Sequence, residues 1–137
     1  MRWFLKPGLE DKTLTAAVRF SERATFCVGL DDGGVHGGAI ETVLDEITAE
    51  CGKTKLFPIL LTSTMEVKMG KVIKADTTYR VFSQVANERV KDRIAEVTAE
   101  ITDWDQPDEV YASCKATLVN YLMTVEQQAA AAAASVS

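Results

Sequence analysis

The sequence predicts an α+β domain in which one helix packs on an antiparallel sheet. A single strongly apolar helical run, Ile40 to Ile47, stands between two β-rich regions. Four later stretches alternate apolar and polar residues with the period of a half-buried strand. The inward faces of the last two are small, which leaves room for a helix against the sheet.

The helix lies in Val35 to Cys51, VHGGAIETVLDEITAEC. Asp31, Asp32, Gly33 and Gly34 break whatever precedes it, and His36, Gly37 and Gly38 open it. At ~100° per residue, Ile40, Val43, Leu44 and Ile47 fall within a third of the circumference. Glu41, Asp45 and Thr48 line one flank of this stripe, and Glu46 and Glu50 line the other. Gly52-Lys53-Thr54 reads as the helix stop, and Pro58 precedes the next strand.

Before the helix, Thr13 to Leu30 reads as two short strands, Ala16 to Phe20 and Ala24 to Val28, with Ser21-Glu22-Arg23 as a polar turn. After it, Met65, Val67 and Met69 alternate with Thr64, Glu66 and Lys68. Tyr79, Val81 and Val85 alternate with Thr78, Arg80 and Gln84. Ala95, Val97, Ala99 and Ile101 form the apolar face of Ile94 to Thr102, and Ala112, Cys114, Ala116 and Leu118 that of Val110 to Leu118. Such alternation marks antiparallel strands with one wet face. The links Ala86 to Asp92 and Asp103 to Glu109 suit hairpins. Trp3, Phe4 and Leu5, ahead of Pro7-Gly8, are expected to cover an apolar surface. The domain is expected to span residues 1–126, with Gln127 to Ser137 a frayed, low-complexity alanine tail.

With 137 residues, the chain suits one domain with a real core. A net charge of −5 argues against non-specific nucleic-acid binding, so an anionic ligand would need a local basic patch. No stretch approaches the ~20 apolar residues of a membrane span, and no signal h-region is visible. Cys27, Cys51 and Cys114 are widely spaced, which suggests neither a disulfide framework nor a zinc site and fits a reducing, intracellular compartment. Cytoplasm and mitochondrion both remain open. His36 is the only histidine, so a multi-histidine metal site is excluded. Without G-x-S-x-G, an α/β-hydrolase reading fails. A Cys27–His36 nucleophilic dyad is a remote alternative, since a buried thiol and a turn residue account for both.

The chemistry of the helix start follows from its geometry. A helix N-terminus has unpartnered N–H groups and a positive partial charge. Glycines at 37 and 38 let a ligand approach the backbone. This suits a carbonyl oxygen that becomes negative during attack. Asp45 sits about two turns further in, and reaches the same ligand only from a second chain or along the helix flank. The plainer alternative is a glycine turn followed by a solvated aspartate.

His36-Gly37-Gly38, the apolar helix behind it and the acid nine residues after the histidine resemble the hotdog-fold acyl-CoA thioesterases. Within that fold, HGGAIETVLDE is most similar to the phenylacetyl-CoA-thioesterase-like branch, which includes the mammalian thioesterase-superfamily proteins. The likeness continues without a gap into LLTSTMEVKMGKVI, weakens over the last three strands and is absent before about Thr13. It implies a curved antiparallel sheet wrapped around one central helix, paired edge to edge in a homodimer and again as a dimer of dimers. It also implies hydrolysis of acyl-CoA to free acid and CoA, with no cofactor, in fatty acid metabolism. Under it, His36 and Gly37 bind the thioester carbonyl, and Asp45 of the other protomer acts as general base or nucleophile. Thr62 matches a Ser/Thr position that orients water or carboxylate. Gly38, Glu41 and Met69 then lie at the substrate, and Asn87, Arg89, Lys91 and Arg93, in the hairpin NERVKDR, at the coenzyme, with Lys68 or Lys71 assisting.

Each residue also has a plainer use: Thr62 as a strand-end residue, His36 as a helix cap, the basic hairpin as a solvated tip. Two positions depart from the family. Leu30 stands where relatives carry an Asn or Gln that positions water. Glu41 stands where a small residue is usual, four before Asp45, where it could tune that carboxylate, narrow the acyl pocket, or simply be solvated. Met65, Met69 and Leu60 suggest an apolar pocket wall. Two other readings stand beside hydrolysis: a non-catalytic module that binds acyl-CoA or a protein, and a dehydratase or hydratase acting on acyl thioesters.

Overall fold

The computed structural model describes residues 4–7, 12–25, 34–55, 60–89, 93–120, 129–130 and 132–134. The helix α1 is Gly37–Lys55. The strands are β1 Phe4–Pro7, β2 Thr13–Arg19, β3 Leu60–Met69, β4 Thr78–Arg89, β5 Ile94–Asp103 and β6 Val110–Asn120. They form one sheet in the order β1-β2-β4-β5-β6-β3, antiparallel throughout. The helix touches β2 through β6, so the sheet closes around it.

The expected stripe is the core. Ile40, Val43, Leu44 and Ile47 are buried, and Cys51 extends the stripe by one turn. Each such aliphatic side chain contributes roughly 1.5–3 kcal/mol by leaving water. The expected small face receives them: Ala95, Val97, Ala99 and Ile101 of β5, and Ala112, Cys114, Ala116 and Leu118 of β6, are all buried. Thr48 is buried on the helix because its hydroxyl bonds the carbonyls of Leu44 at 2.9 Å and Asp45 at 3.0 Å.

Several local expectations are corrected. Gly52 does not stop the helix, which runs on to Lys55. It lies inside, where Leu60 and Leu118 press on it: a Cβ there would come within 2.5 Å of Leu60 Cδ1 and 2.8 Å of Leu118 Cδ1. Gly52→Ala should therefore destabilise the fold. Helix propensity favours alanine by about 1 kcal/mol, but overpacking a tight core costs about 1–3 kcal/mol. Thermal unfolding of the variant is expected a few degrees below wild type.

Phe4–Pro7 forms an edge strand paired with β2. Glu22–Ala24 is a short 3-10 turn where a polar turn was expected. Of the expected second strand, Ala24 to Val28, Thr25 bridges Val35, and 26–28 lie outside the described residues. Strand β4 runs past Val85 to Arg89 because the ladder to β5 bulges between Val85 and Asn87, so its alternation breaks there. Helical turns occur at 129–130 and 132–134, exposed, as alanine favours.

Candidate active site

Two groups of the expected residues come together, at different ends of the helix's open flank. The first is at the helix start. His36 caps it: its carbonyl accepts the N–H of Ala39 at 3.0 Å and of Ile40 at 3.2 Å, and its own N–H donates to Ala24 at 2.7 Å. Its side chain folds back, so that Nδ1 accepts the Gly38 N–H at 2.9 Å. The neutral ring then carries its proton on Nε2. A Cβ at Gly38 would lie 3.0 Å from that Nδ1, so the second glycine makes room for the cap. The Gly38 donor is thus spent on His36. The Gly37 N–H has no hydrogen-bond acceptor among the described residues. No carboxylate occupies the first turn of α1 to neutralise the positive end of the helix.

Gly37 opens onto an apolar cavity of about 350 Å³, lined by Val35, Ile40, Met69, Val72 and Ile73 among others. A Cβ at Gly37 would lie 3.8 Å from Met69 Cε, an ordinary contact. Met69 and Val72 are 47% and 56% exposed, so the cavity is open on their side. Of the expected pocket wall, only Met69 lines this cavity. Leu60 is core at 4% exposure, and Met65 packs against the core. Lys71 stands at the rim, ion-paired with Glu109 and 5.5 Å from the centre of the Tyr111 ring. The hydrogen bond to Glu109 raises its pKa and keeps it charged. Val35, Val72 and Ile73 were not expected here, because only the turn after β3 carries the last two to the helix start.

The second group is Asp45 with Thr62. The Thr62 hydroxyl donates to Asp45 Oδ1 at 2.7 Å. A bulge makes this contact possible. Thr62 pairs with Leu118 and Thr64 with Thr117, so Ser63 is an extra residue in β3. Without it, Thr62 would face away from Met65, Val67 and Met69. With it, all four face the helix. Burial, and to a smaller extent the Asp45 charge, push the nearby Cys114 thiol up to about 11, so it remains a protonated core residue.

Gly37 and Asp45 are about 12 Å apart along the helix axis, and Thr62 and Met69 roughly 20 Å apart along β3. One chain does not bring the two groups together. Glu41 is exposed between them on the helix. The hairpin lies at the Asp45 end: Glu88 pairs with Ala95, Ala95 with Leu118, and Leu118 with Thr62. There Asn87 is exposed, Arg89 ends β4 opposite Ile94, and Arg93 turns the chain at φ 58°. Lys91 and Leu30 lie outside the described residues. Lys68 is on the outer face of β3. Among the described residues, no three His, Cys, Asp or Glu side chains could hold a metal ion, and no helix is long and apolar enough to cross a membrane.

Solved structures of the same shape identify the architecture. A phenylacetic acid degradation-related protein of Ralstonia eutropha JMP134 superposes with a TM-score of 0.72 at 18% identity, over 86% of this chain and 84% of that one. Zebra fish thioesterase superfamily member 2 does so at 0.70 and 16%, over 84% and 78%. A Streptococcus mutans UA159 protein bound to acetyl CoA does so at 0.73 and 15%, over 87% and 88%. The chain has the hotdog fold. No protein-family model matches the sequence, and no curated protein matches it. In hotdog terms, α1 is the central helix and β3 an outer edge of the sheet. Both groups of site residues sit where the helix faces that edge, Asp45 through Thr62 and Gly37 through Met69.

Proposed function

We propose that this chain hydrolyses acyl-CoA thioesters to free acid and CoA. The observation that carries the reading is the Asp45–Thr62 pair: a carboxylate held by a hydroxyl at 2.7 Å, on the same open flank as an unpaired backbone donor beside an apolar cavity. The cavity takes the acyl chain. The Gly37 N–H binds the thioester oxygen and stabilises the negative charge it gains. Asp45 takes a proton from water as the water oxygen attacks the carbonyl carbon. The tetrahedral intermediate collapses, the C–S bond breaks, and the CoA sulfur leaves and takes the proton that Asp45 drew from the water, which restores the carboxylate. In the nucleophilic variant, Asp45 attacks the carbonyl first, the C–S bond breaks to expel the CoA thiolate, and water then hydrolyses the resulting anhydride, its proton going to the thiolate. Thr62 orients the carboxylate in both. No cofactor enters either route.

Because one chain separates Asp45 from Gly37, the working unit is a homodimer in which each protomer supplies one half of each site. A further pairing of dimers follows the same family pattern. The basic hairpin, with Asn87, Arg89, Lys91 and Arg93, is assigned to the coenzyme phosphates. The compartment is proposed to be intracellular and the pathway fatty acid metabolism. The S. mutans protein bound to acetyl CoA supports a CoA thioester as ligand for this fold.

The test is free-thiol release from a panel of acyl-CoAs, short, long and aromatic. Release at a kcat above about 0.1 s⁻¹ for at least one member is the expected result, given typical enzyme turnover. No release from any of them, together with a rise in Tm on adding acyl-CoA, would turn the assignment to a binding module.

A further inference from the structure

The apolar cavity beside Gly37 has a charged side chain at its rim, and that side chain is held from two directions. Lys71 donates its N–H to the Tyr111 carbonyl at 3.0 Å. Its ammonium lies 5.5 Å from the centre of the Tyr111 ring, and that ring stands edge-on to buried Tyr79, centres 5.1 Å apart. The ammonium is ion-paired with Glu109. The turn between β5 and β6 sets Glu109 in turn: its carbonyl accepts the Asp103 N–H at 3.1 Å, and its N–H donates to the Gln106 carbonyl at 3.0 Å. Asp103 Oδ1 fastens the same turn by accepting the N–H groups of Asp105 and Gln106. Both partners are therefore anchored through their backbones, which the usual surface ion pair is not.

Neither group uses up the other. An ammonium has three protons to donate, and Glu109 is the only hydrogen-bond acceptor for Lys71 Nζ among the described residues. The second carboxylate oxygen, Glu109 Oε1, accepts nothing from those residues. The pair thus offers a donor and an acceptor side by side at the mouth of the cavity. A hydroxyl, which accepts one hydrogen bond and donates another, satisfies both at once. A carboxylate does not: Glu109 and Asp103 both act on the Lys71 charge, two acids to one base, and repel a further anion. A methyl group engages neither. Behind the pair the walls are branched aliphatic side chains, Val35, Ile40, Val72 and Ile73, and among the described residues no aromatic ring lines the cavity. An apolar pocket with a few placed polar groups is the arrangement that fixes a ligand's orientation.

We propose that Lys71 and Glu109 read the far end of the acyl group, and that the preferred substrates are thioesters of aliphatic acids ending in a hydroxyl. The inference rests on the hydrolytic reading, which sets the thioester at Gly37 and the chain in the cavity. The cavity opens on the side of Met69 and Val72, and Lys71 is the residue before Val72. A chain long enough to reach the mouth therefore ends beside the pair. Its hydroxyl accepts from the Lys71 ammonium and donates to Glu109 Oε1.

Alkanoyl-CoAs of increasing length test this, each made with a terminal hydroxyl, methyl or carboxylate. The kcat/KM values are compared within each protein, so that a loss common to all substrates cancels. Wild type should favour hydroxyl over methyl by about tenfold at the length that reaches the pair, the worth of one net hydrogen bond. Lys71→Met should reverse that order, since an apolar rim favours the methyl. Lys71→Arg keeps the donors and should keep the hydroxyl preference, which a merely structural role for Lys71 would not require. Glu109→Met leaves the cation unpaired and should move the preference to the carboxylate. A wild type that favours methyl at every length would overturn the proposal. So would a Lys71→Met variant that slows all substrates alike, as loss of a coenzyme phosphate contact would. Binding of the same compounds is measured by titration calorimetry. A hydroxyl preference in Kd with no thiol release from any compound removes hydrolysis and leaves this recognition standing. Release without the preference does the reverse, and no binding of any compound overturns both.

Discussion

Asp45→Asn is expected to lower kcat for acyl-CoA hydrolysis by about a thousandfold, within the 10²–10⁴ range of a positioned general base. The change is nearly isosteric. Thr62 still finds an oxygen at position 45 to donate to, as it now does to Asp45 Oδ1 at 2.7 Å. The fold should be unaffected, with Tm within a degree or two of wild type and KM nearly unchanged. A loss in kcat with KM held marks an interaction made in the transition state. Thr62→Val leaves the charge but frees the carboxylate to swing, and a smaller fall, about tenfold, is expected. One turnover in H₂¹⁸O with excess enzyme detects the nucleophilic route when water opens the anhydride at the Asp45 carbonyl. Label in the product acid means that water attacked the acyl carbon, whether of the thioester or of an anhydride. Label in the enzyme means that Asp45 attacked first. Asp45→Asn with full activity would remove this residue from the chemistry.

Gly37→Pro is expected to cost 10²–10³ in kcat, the usual loss when an oxyanion donor is removed. The prediction is sharp because the substitution should be tolerated by the fold. Gly37 is the first residue of α1 and His36 its cap, and proline suits the first helical position. The N–H that it lacks has no acceptor among the described residues, so no structural hydrogen bond is lost. Gly37→Ala is the control. It keeps the N–H, and its Cβ meets only Met69 Cε at an ordinary 3.8 Å. Alanine should retain activity within a few-fold while proline loses it. Equal losses would mean that the space at Gly37 matters and its donor does not. Steady-state kinetics with Tm measured in parallel decides between them.

The contrast between the two glycines of the helix start was beyond the reach of spacing alone. His36-Gly37-Gly38 marks a turn into a helix, but either N–H could have served a ligand. The structure spends Gly38 on the imidazole and leaves Gly37, because the capping ring lies 3.0 Å from where a Gly38 side chain would be. Gly52 misled in the opposite way. A glycine near basic residues after an apolar stripe reads as a stop, yet here its missing side chain is what lets Leu60 and Leu118 in. Which of the two meanings applies depends on neighbours brought from β3 and β6, far away in the chain.

The sequence by itself determined the elements whose signal is periodic. The buried stripe of α1 and the small inward faces of β5 and β6 match residue for residue, because burial on one side imposes a period and the period is local. Asp45 and Thr62 were singled out by their resemblance to a family motif, and the structure sets the Thr62 hydroxyl 2.7 Å from Asp45 Oδ1. Tertiary structure alone decided how they face one another. The extra residue at Ser63 turns Thr62 toward Asp45 and keeps Met69 on the same side, and a bulge is a property of the ladder with β6 rather than of β3. The cavity beside Gly37 exists because the turn after β3 carries Val72 and Ile73 back to the helix start. Periodicity reports which side of an element is dry; it carries no information on which distant element supplies the neighbour.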